Sequence, residues 1–253
     1  MSAIDVAAVV LAGSAFLSMG FFVVVSRSLP LDPDVANRGT TILLGRWVRD
    51  WLMWVIGPLE RAMVTARVSP DGLNIMGALF GLAAGAAFAA GSFSAAGWLI
   101  LLGGAADVFD GRIARARGIA SAYGAFLDST LDRFSESFAF LGLVLFFAPG
   151  RTLAAAAAAA MSGSLLVSYA RARGEALGVS IKGGLMQRAE RLVLLALAAI
   201  ADPLAASTLH WRPAAVLGGA VMVIAAGTWG TAFWRLVSIA SALKTNPPDS
   251  ASR

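Results

Sequence analysis

The sequence predicts an all-α membrane protein. Of its 253 residues 58% are hydrophobic and only 14% are charged, and mean hydropathy is +0.76. The chain also divides into seven apolar stretches, each close to the roughly 20 residues that a helix needs to cross a bilayer. These cover residues 6–26, 72–91, 95–111, 122–148, 152–170, 189–205 and 214–238. Such an apolar share exceeds that of soluble globular domains, and nothing between the stretches is long enough to bury its own core.

Each element has a local reason. The stretch at 6–26 lacks a positively charged flank before it and is longer than a usual leader core, which predicts a retained helix. Residues 41–62 mix Trp47, Trp51 and Trp54 with Arg46, Arg49, Asp50, Glu60 and Arg61, the pattern of a helix lying in the membrane interface. Ser69-Pro70-Asp71 reads as a helix start, with proline supplying the dihedral of the first turn. The alanine-rich segments at 83–90 and 154–160 suit close helix packing in a membrane, where small residues let backbones approach. This gives an N-terminal transmembrane helix and linker over 1–40, a membrane domain over 41–240 opened by the interfacial helix, and a disordered tail over 241–253.

The basic residues orient these spans. Seventeen of the twenty Lys and Arg residues fall on one side if the N-terminus faces out: Arg27, Arg38, Arg46, Arg49, Arg61, Arg67, Arg112, Arg115, Arg117, Arg171, Arg173, Lys182, Arg188, Arg191, Arg235, Lys244 and Arg253. Arg151 and Arg212 fall outside, and Arg133 sits within a span beside acids. The positive-inside rule then predicts seven spans with the C-terminus in the cytoplasm. The net charge of +5 reads as this bias plus attraction to anionic membrane lipids. No basic soluble surface is present that would suit nucleic acid. The chain has no cysteine and a single histidine, His210, which removes thiolate and histidine metal sites and a Ser/His/Asp triad.

Carboxylates within a membrane are costly and are functional or paired by default. Five crowd one segment: Asp107, Asp110, Asp128, Asp132 and Glu136. Asp107, Asp110 and Ala114 are spaced i, i+3, i+7, and Gly124, Asp128 and Asp132 are spaced i, i+4, i+8, so each set shares one helix face. Two acidic faces can confront each other near the inner side, beside the turn bearing Arg112, Arg115 and Arg117. Convergent carboxylates repel in a low dielectric unless neutralised. Oxygen ligands without His or Cys favour Mg²⁺, Mn²⁺ or Ca²⁺, and a pair of ions can clamp a diphosphate. Gly111 and Gly124 leave room for a bulky ligand against the helices.

These residues resemble the signature of the CDP-alcohol phosphotransferases: Asp107, Asp110-Gly111, Ala114-Arg115, Gly124, Asp128 and Asp132 match it at every spacing. The resemblance implies a six-helix bundle and a homodimer, with the interfacial helix and the N-terminal transmembrane helix added to the bundle. It also implies two ions, Mg²⁺ or Mn²⁺, held by Asp107, Asp110, Asp128 and Asp132, with Asp132 as general base. Asp107, Gly111, Ala114, Arg115 and Gly124 would bind the CDP donor, CDP-diacylglycerol, with Arg115 on its phosphate. An acceptor hydroxyl would attack the lipid-side phosphorus and CMP would leave.

A second segment, Ser168 to Leu192, resembles the SYxxAR, GG and RxER stretch of the bacterial phosphatidylinositol phosphate synthases within that family. By this resemblance the acceptor is inositol phosphate, and Arg171, Arg188, Arg191 and Arg235 would cradle its phosphate, guanidinium forks being suited to phosphate oxygens. The chain departs from the pattern in having Arg171 where lysine is usual and Ala189 where proline is usual. The enzyme is then expected in a bacterial cytoplasmic membrane with its site facing the cytoplasm. The alternative acceptor is glycerol 3-phosphate, which would make phosphatidylglycerol phosphate. An ion pathway would instead spread its acids through several spans.

Overall fold

The computed structural model describes residues 14, 17–26, 46–181 and 183–245, apart from the side chains of Arg46 and Arg49. The described residues form helices and turns without a strand. In chain order the helices are α1, residues 17–25; α2, Arg46–Thr65; α3, Pro70–Ala89; α4, Phe93–Ala116; α5, Ala122–Phe147; α6, Arg151–Ala176; α7, Arg188–Thr208; and α8, Ala215–Thr245. Five of these, α3, α4, α6, α7 and α8, are long and apolar enough to cross a membrane, and the protein is an integral membrane protein.

The 26 residues of α5 reach about 39 Å at 1.5 Å per residue, but Asp128, Asp132, Arg133 and Glu136 load its N-terminal part with charge. Those residues spoil its apolar signature. Of the remaining boundaries, α8 continues to Thr245, past the limit of 240 set for the membrane domain. The first residues assigned to a disordered tail therefore continue the helix, whose small and apolar residues Ile239, Ala240 and Ala242 give no reason to stop. Residues 246–253, most of the linker before α2, and much of the stretch at 6–26 lie outside the described residues.

The main helix packing closes into a ring: α3 on α4, α4 on α7, α7 on α8, α8 on α6, α6 on α5, and α5 back on α3. All six contribute to one core, from Ala84 and Phe88 on α3 to Leu217, Val221 and Ile224 on α8. The outward faces are apolar too: Leu79 is 58% exposed, Leu145 59% and Phe233 60%. That distribution suits a surface solvated by lipid.

Small residues set how tightly the ring closes. A Cβ on Gly81 would overlap Ser135, one on Gly85 would overlap the carbonyl of Phe138, and one on Gly142 would overlap the backbone of Gly85. The α3–α5 seam is thus built on backbone contact, the close approach that holds helices together where lipid supplies no hydrophobic drive. Ala157 and Ala160 are fully buried on α6, as the alanine-rich segment anticipates.

Caps fix the helix starts near the charged end. Ser69 accepts from the Gly72 amide at 3.3 Å to open α3, with Pro70 in the first turn. Ser121 does the same for α5 through the Gly124 amide at 3.1 Å. Gln187 and Glu190 form a reciprocal capping box at the start of α7, so that both sets of orphan donors find partners.

Outside the ring, α2 is tied to α4 where Arg112 Nε donates to Glu60 Oε2 at 2.7 Å, and just past the ends of both helices Arg117 Nη1 donates to the Val68 carbonyl at 2.9 Å. α1 rests on α2, where Phe22 lies 5.8 Å from Trp47 and 5.6 Å from Trp54 between ring centres and Trp51 Nε1 donates to Ser18 Oγ at 3.2 Å.

Candidate active site

The charged end of the ring is where the predicted acids meet. Asp107 on α4 and Asp128 and Asp132 on α5 each offer a carboxylate oxygen, and these three oxygens lie within 4.8 Å of one another. The turn between α4 and α5 is short, and the two acidic faces, each set by helical spacing, meet near it. Asp110 is 4% exposed and accepts from the Gly111 amide through Oδ1. It stands beside this trio but is not one of the three convergent oxygens.

One arginine spans the trio. Arg188, the first residue of α7, places Nη1 3.0 Å from Asp107 Oδ2 and Nη2 2.7 Å from Asp132 Oδ1. α7 stands opposite α5 in the ring order, so this side chain crosses the mouth of the bundle. Arg133 Nη1 is 3.7 Å from Asp132 Oδ2 but donates mainly to the Ser129 carbonyl at 2.6 Å. Buried atoms are left without a hydrogen-bond partner on both sides: Asp128 Oδ1 and Arg188 Nε. A buried acceptor with no partner is uncommon and asks for a ligand or an ion.

Three carboxylates facing one bridging guanidinium retain excess negative charge in a poorly solvated place. Oxygen-only ligands of this kind suit a hard divalent cation, and the orphaned Asp128 oxygen is the atom such an ion would satisfy. The residues therefore fit a divalent metal.

The residues expected at the donor differ in what surrounds them. A Cβ on Gly111 would come 3.1 Å from Arg115 Nη1, so the guanidinium of Arg115 lies over that glycine. Among the described residues a Cβ on Gly124 would meet only Ser121 Oγ, at 3.5 Å, so no other described helix packs directly against it. Ala114 is half-buried on the same helix as Arg115.

The four arginines expected at the acceptor do not form one open cradle. Arg188 is engaged with the acids. Arg191 is 1% exposed and binds Glu136 through Nε and Nη2 at 2.6 and 3.0 Å. Arg235 is 3% exposed. It donates to the Val167 carbonyl at 2.7 Å through Nη1 and to the Gly183 carbonyl at 3.3 and 3.1 Å through Nε and Nη2. Arg171 is exposed and pairs with Glu175 at 2.9 Å. The positive charges of Arg171 and Arg191 both bear on Arg235, a grouping that an anion would relieve.

Two site residues were not singled out by spacing. Asn74 on α3 is 7% exposed and shares a cavity with Asp107, Asp132 and Arg188; a polar residue inside an apolar stretch was the available signal. Glu136 was visible as one of five acids, but nothing in its spacing identifies Arg191 as its partner.

Comparison with known proteins places this arrangement among enzymes. Residues 67–234 match the family described as CDP-alcohol phosphatidyltransferase. The archaetidylinositol phosphate synthase of Methanothermobacter thermautotrophicus is 35% identical over 175 residues, covering 69% of this chain and 84% of that protein. The phosphatidylinositol phosphate synthase of Streptomyces avermitilis is 35% identical over 182 residues, covering 70% and 72%. Among solved structures, the Mycobacterium tuberculosis phosphatidylinositol phosphate synthase with CDP-DAG bound superposes with a TM-score of 0.65 at 28% identity, covering 72% of this chain and 92% of that one. The same enzyme has been solved in complex with manganese and citrate, covering 78% and 91% at the same TM-score and identity.

Proposed function

Because this chain belongs to the CDP-alcohol phosphatidyltransferase family, we propose that it transfers a phosphatidyl group from CDP-diacylglycerol to inositol phosphate and releases CMP. The observation that carries the reading is the convergence of Asp107, Asp128 and Asp132 around one bridging arginine, with a separate group of arginines behind it. Acids suit the metal-bound diphosphate of a CDP donor. Arginines suit a second, phosphorylated substrate.

Asp107, Asp110, Asp128 and Asp132 would hold two divalent ions, Mg²⁺ or Mn²⁺, which when bound supply charge neutralisation for the diphosphate and its leaving group. Gly111, Ala114 and Gly124 leave space for the cytidine, and Arg115 stands beside it to meet a donor phosphate. Asp132 accepts the proton of the acceptor hydroxyl as that oxygen forms its bond to the lipid-side phosphorus. The bond from that phosphorus to the CMP oxygen breaks, and CMP carries the electron pair away. Arg188 balances Asp107 and Asp132, and its planar fork equally suits a phosphate. Arg171, Arg191 and Arg235 take the phosphate of the acceptor.

In this reading α3–α8 are the six spanning helices, α2 lies in the interface, and the N-terminal stretch is an added span. The enzyme is a homodimer in a bacterial cytoplasmic membrane, with its charged mouth toward the cytoplasm. The relatives from M. thermautotrophicus and S. avermitilis share an inositol phosphate product in their names and differ in the lipid. This favours inositol phosphate as acceptor more firmly than it chooses the donor chains.

The test is CMP release by purified protein with CDP-diacylglycerol, Mg²⁺ or Mn²⁺, and inositol phosphate, free inositol or glycerol 3-phosphate, repeated with an ether-linked donor. Inositol phosphate should be used best. A preference for glycerol 3-phosphate would make the enzyme a phosphatidylglycerol phosphate synthase, and a preference for free inositol would remove the phosphate role of the arginines.

A further inference from the structure

Glu136 lies one turn beyond Asp132 on α5 and is 4% exposed. Both its oxygens are used: Arg191 Nε donates to Oε1 at 2.6 Å and Nη2 to Oε2 at 3.0 Å. Arg191 Nη1 donates to the Met186 carbonyl at 2.9 Å. A guanidinium has five N–H donors, so one remains on each Nη nitrogen. Where the Met186 carbonyl takes the Nη1 hydrogen that faces away from Nη2, that pair is the end-on fork with which arginine grips phosphate oxygens.

The surroundings give this grip a purpose beyond holding helices together. Arg188 and Arg191 on α7, at i and i+3, face Asp132 and Glu136 on α5, at i and i+4, each pair about one turn apart. Two ionic rungs therefore cross the mouth of the ring between helices that are not neighbours in it. The capping box at Gln187 and Glu190 fixes the backbone of this turn, leaving the arginine side chains as its adjustable part. Asp132 is the next carboxylate along α5, and an unheld Arg191 would be drawn toward it in the low dielectric of the site.

We propose that Glu136 is a positioning residue for the acceptor: it holds Arg191 by its Nε edge, keeps it off Asp132, and leaves its free fork for the acceptor phosphate. The inference rests on the reading of Arg191 as an acceptor ligand. It also fixes a sign. If Glu136 merely diluted the charge of Arg191, neutralising it would strengthen phosphate binding and lower the acceptor KM. A holder predicts the opposite.

Kinetics of CMP release by the full-length enzyme, with inositol phosphate and CDP-diacylglycerol each varied, separate these cases for wild type, Glu136→Gln, Arg191→Ala and the double variant. Glu136→Gln should raise the acceptor KM about tenfold, the scale of a charge-assisted hydrogen bond, and leave the donor KM within about twofold. The double variant should match Arg191→Ala, since a holder has no effect once its guanidinium is gone. An acceptor KM that is unchanged or lowered in Glu136→Gln while Arg191→Ala raises it overturns the proposal and keeps the phosphate reading. So do effects that simply multiply in the double variant. If Arg191→Ala itself leaves the acceptor KM unchanged, the phosphate reading falls and this inference with it. Should Glu136→Gln not fold, Glu136→Asp keeps the charge but shortens the reach and should raise the acceptor KM several-fold. Loss of folded protein in both, with Arg191→Ala folded, makes Glu136 a folding residue and overturns the proposal.

Discussion

Arg188 Nη2 sits 2.7 Å from Oδ1 of Asp132 while its Nη1 sits 3.0 Å from Oδ2 of Asp107, so one guanidinium occupies the space between two of the three convergent carboxylates. A cation that binds those carboxylates must compete with it. Arg188→Gln should therefore bind Mn²⁺ more tightly than wild type even as turnover falls. A binding-linked stabilisation grows as RT ln(1 + [L]/Kd), so the check is the melting temperature across a Mn²⁺ titration. The variant should respond at lower Mn²⁺ than wild type, and an equal or weaker response would remove Arg188 from the metal's competition.

Asp128 differs from its two partners because its Oδ1 is buried without a hydrogen bond. Asp128→Asn removes charge but little volume, and should leave the protein folded while abolishing both CMP release and stabilisation by Mn²⁺. Asp110→Asn should also abolish turnover, because a site short of one carboxylate cannot hold its full metal charge. Asp110 lies outside the convergent trio, however, so part of the Mn²⁺ stabilisation should survive in that variant. Near-normal CMP release in either would separate the acids from catalysis.

Gly124 borders space into which no other described helix packs. Gly124→Leu should therefore insert and fold, yet place a branched side chain where the cytidine is expected. The outcome to measure is a raised donor KM, or lost activity, with the acceptor KM unchanged wherever turnover remains. Unaltered donor kinetics would put the nucleotide elsewhere.

Five of the seven predicted spans and the acid trio were readable from sequence, the first as apolar runs of bilayer length and the second as carboxylates at helical spacing where leucine would be expected. The charged part of α5 was placed in a helix for the same reason, although those charges mask it as a span. The arginines were not readable in the same way. Arg188 and Arg191 fell in a basic segment and Arg235 inside an apolar one, and their partners lie 81, 55 and 68 residues away in the chain for Asp107, Glu136 and Val167. Only the closure of the ring reveals them. The seam between α3 and α5 was similarly hidden, since Gly81, Gly85 and Gly142 carry no sign of which helix they admit.

Asp202 shows that an acid in an apolar span need not belong to the active site. It is 2% exposed on α7, fourteen residues beyond Arg188 and hence roughly 21 Å along the helix from the acid trio. Its Oδ1 accepts from the Ala214 amide at 2.8 Å and its Oδ2 from the Leu217 amide at 3.0 Å. Those amides open α8, where the first turn has no partners of its own and where a negative charge is favoured by the helix dipole. Asp202 thus caps α8 from the neighbouring helix and fixes the α7–α8 corner. Asp202→Ala leaves two buried N–H groups unpaired, at about 1–3 kcal/mol each, and a protein of this size loses about 2–4 °C of Tm per kcal/mol. The expected result is a melting temperature lower by several degrees, with KM for both substrates and the response to Mn²⁺ unchanged in the protein that remains folded. Asp202→Asn, which keeps one acceptor oxygen, should recover part of the loss. A selective change in either KM would move Asp202 from the fold to the chemistry.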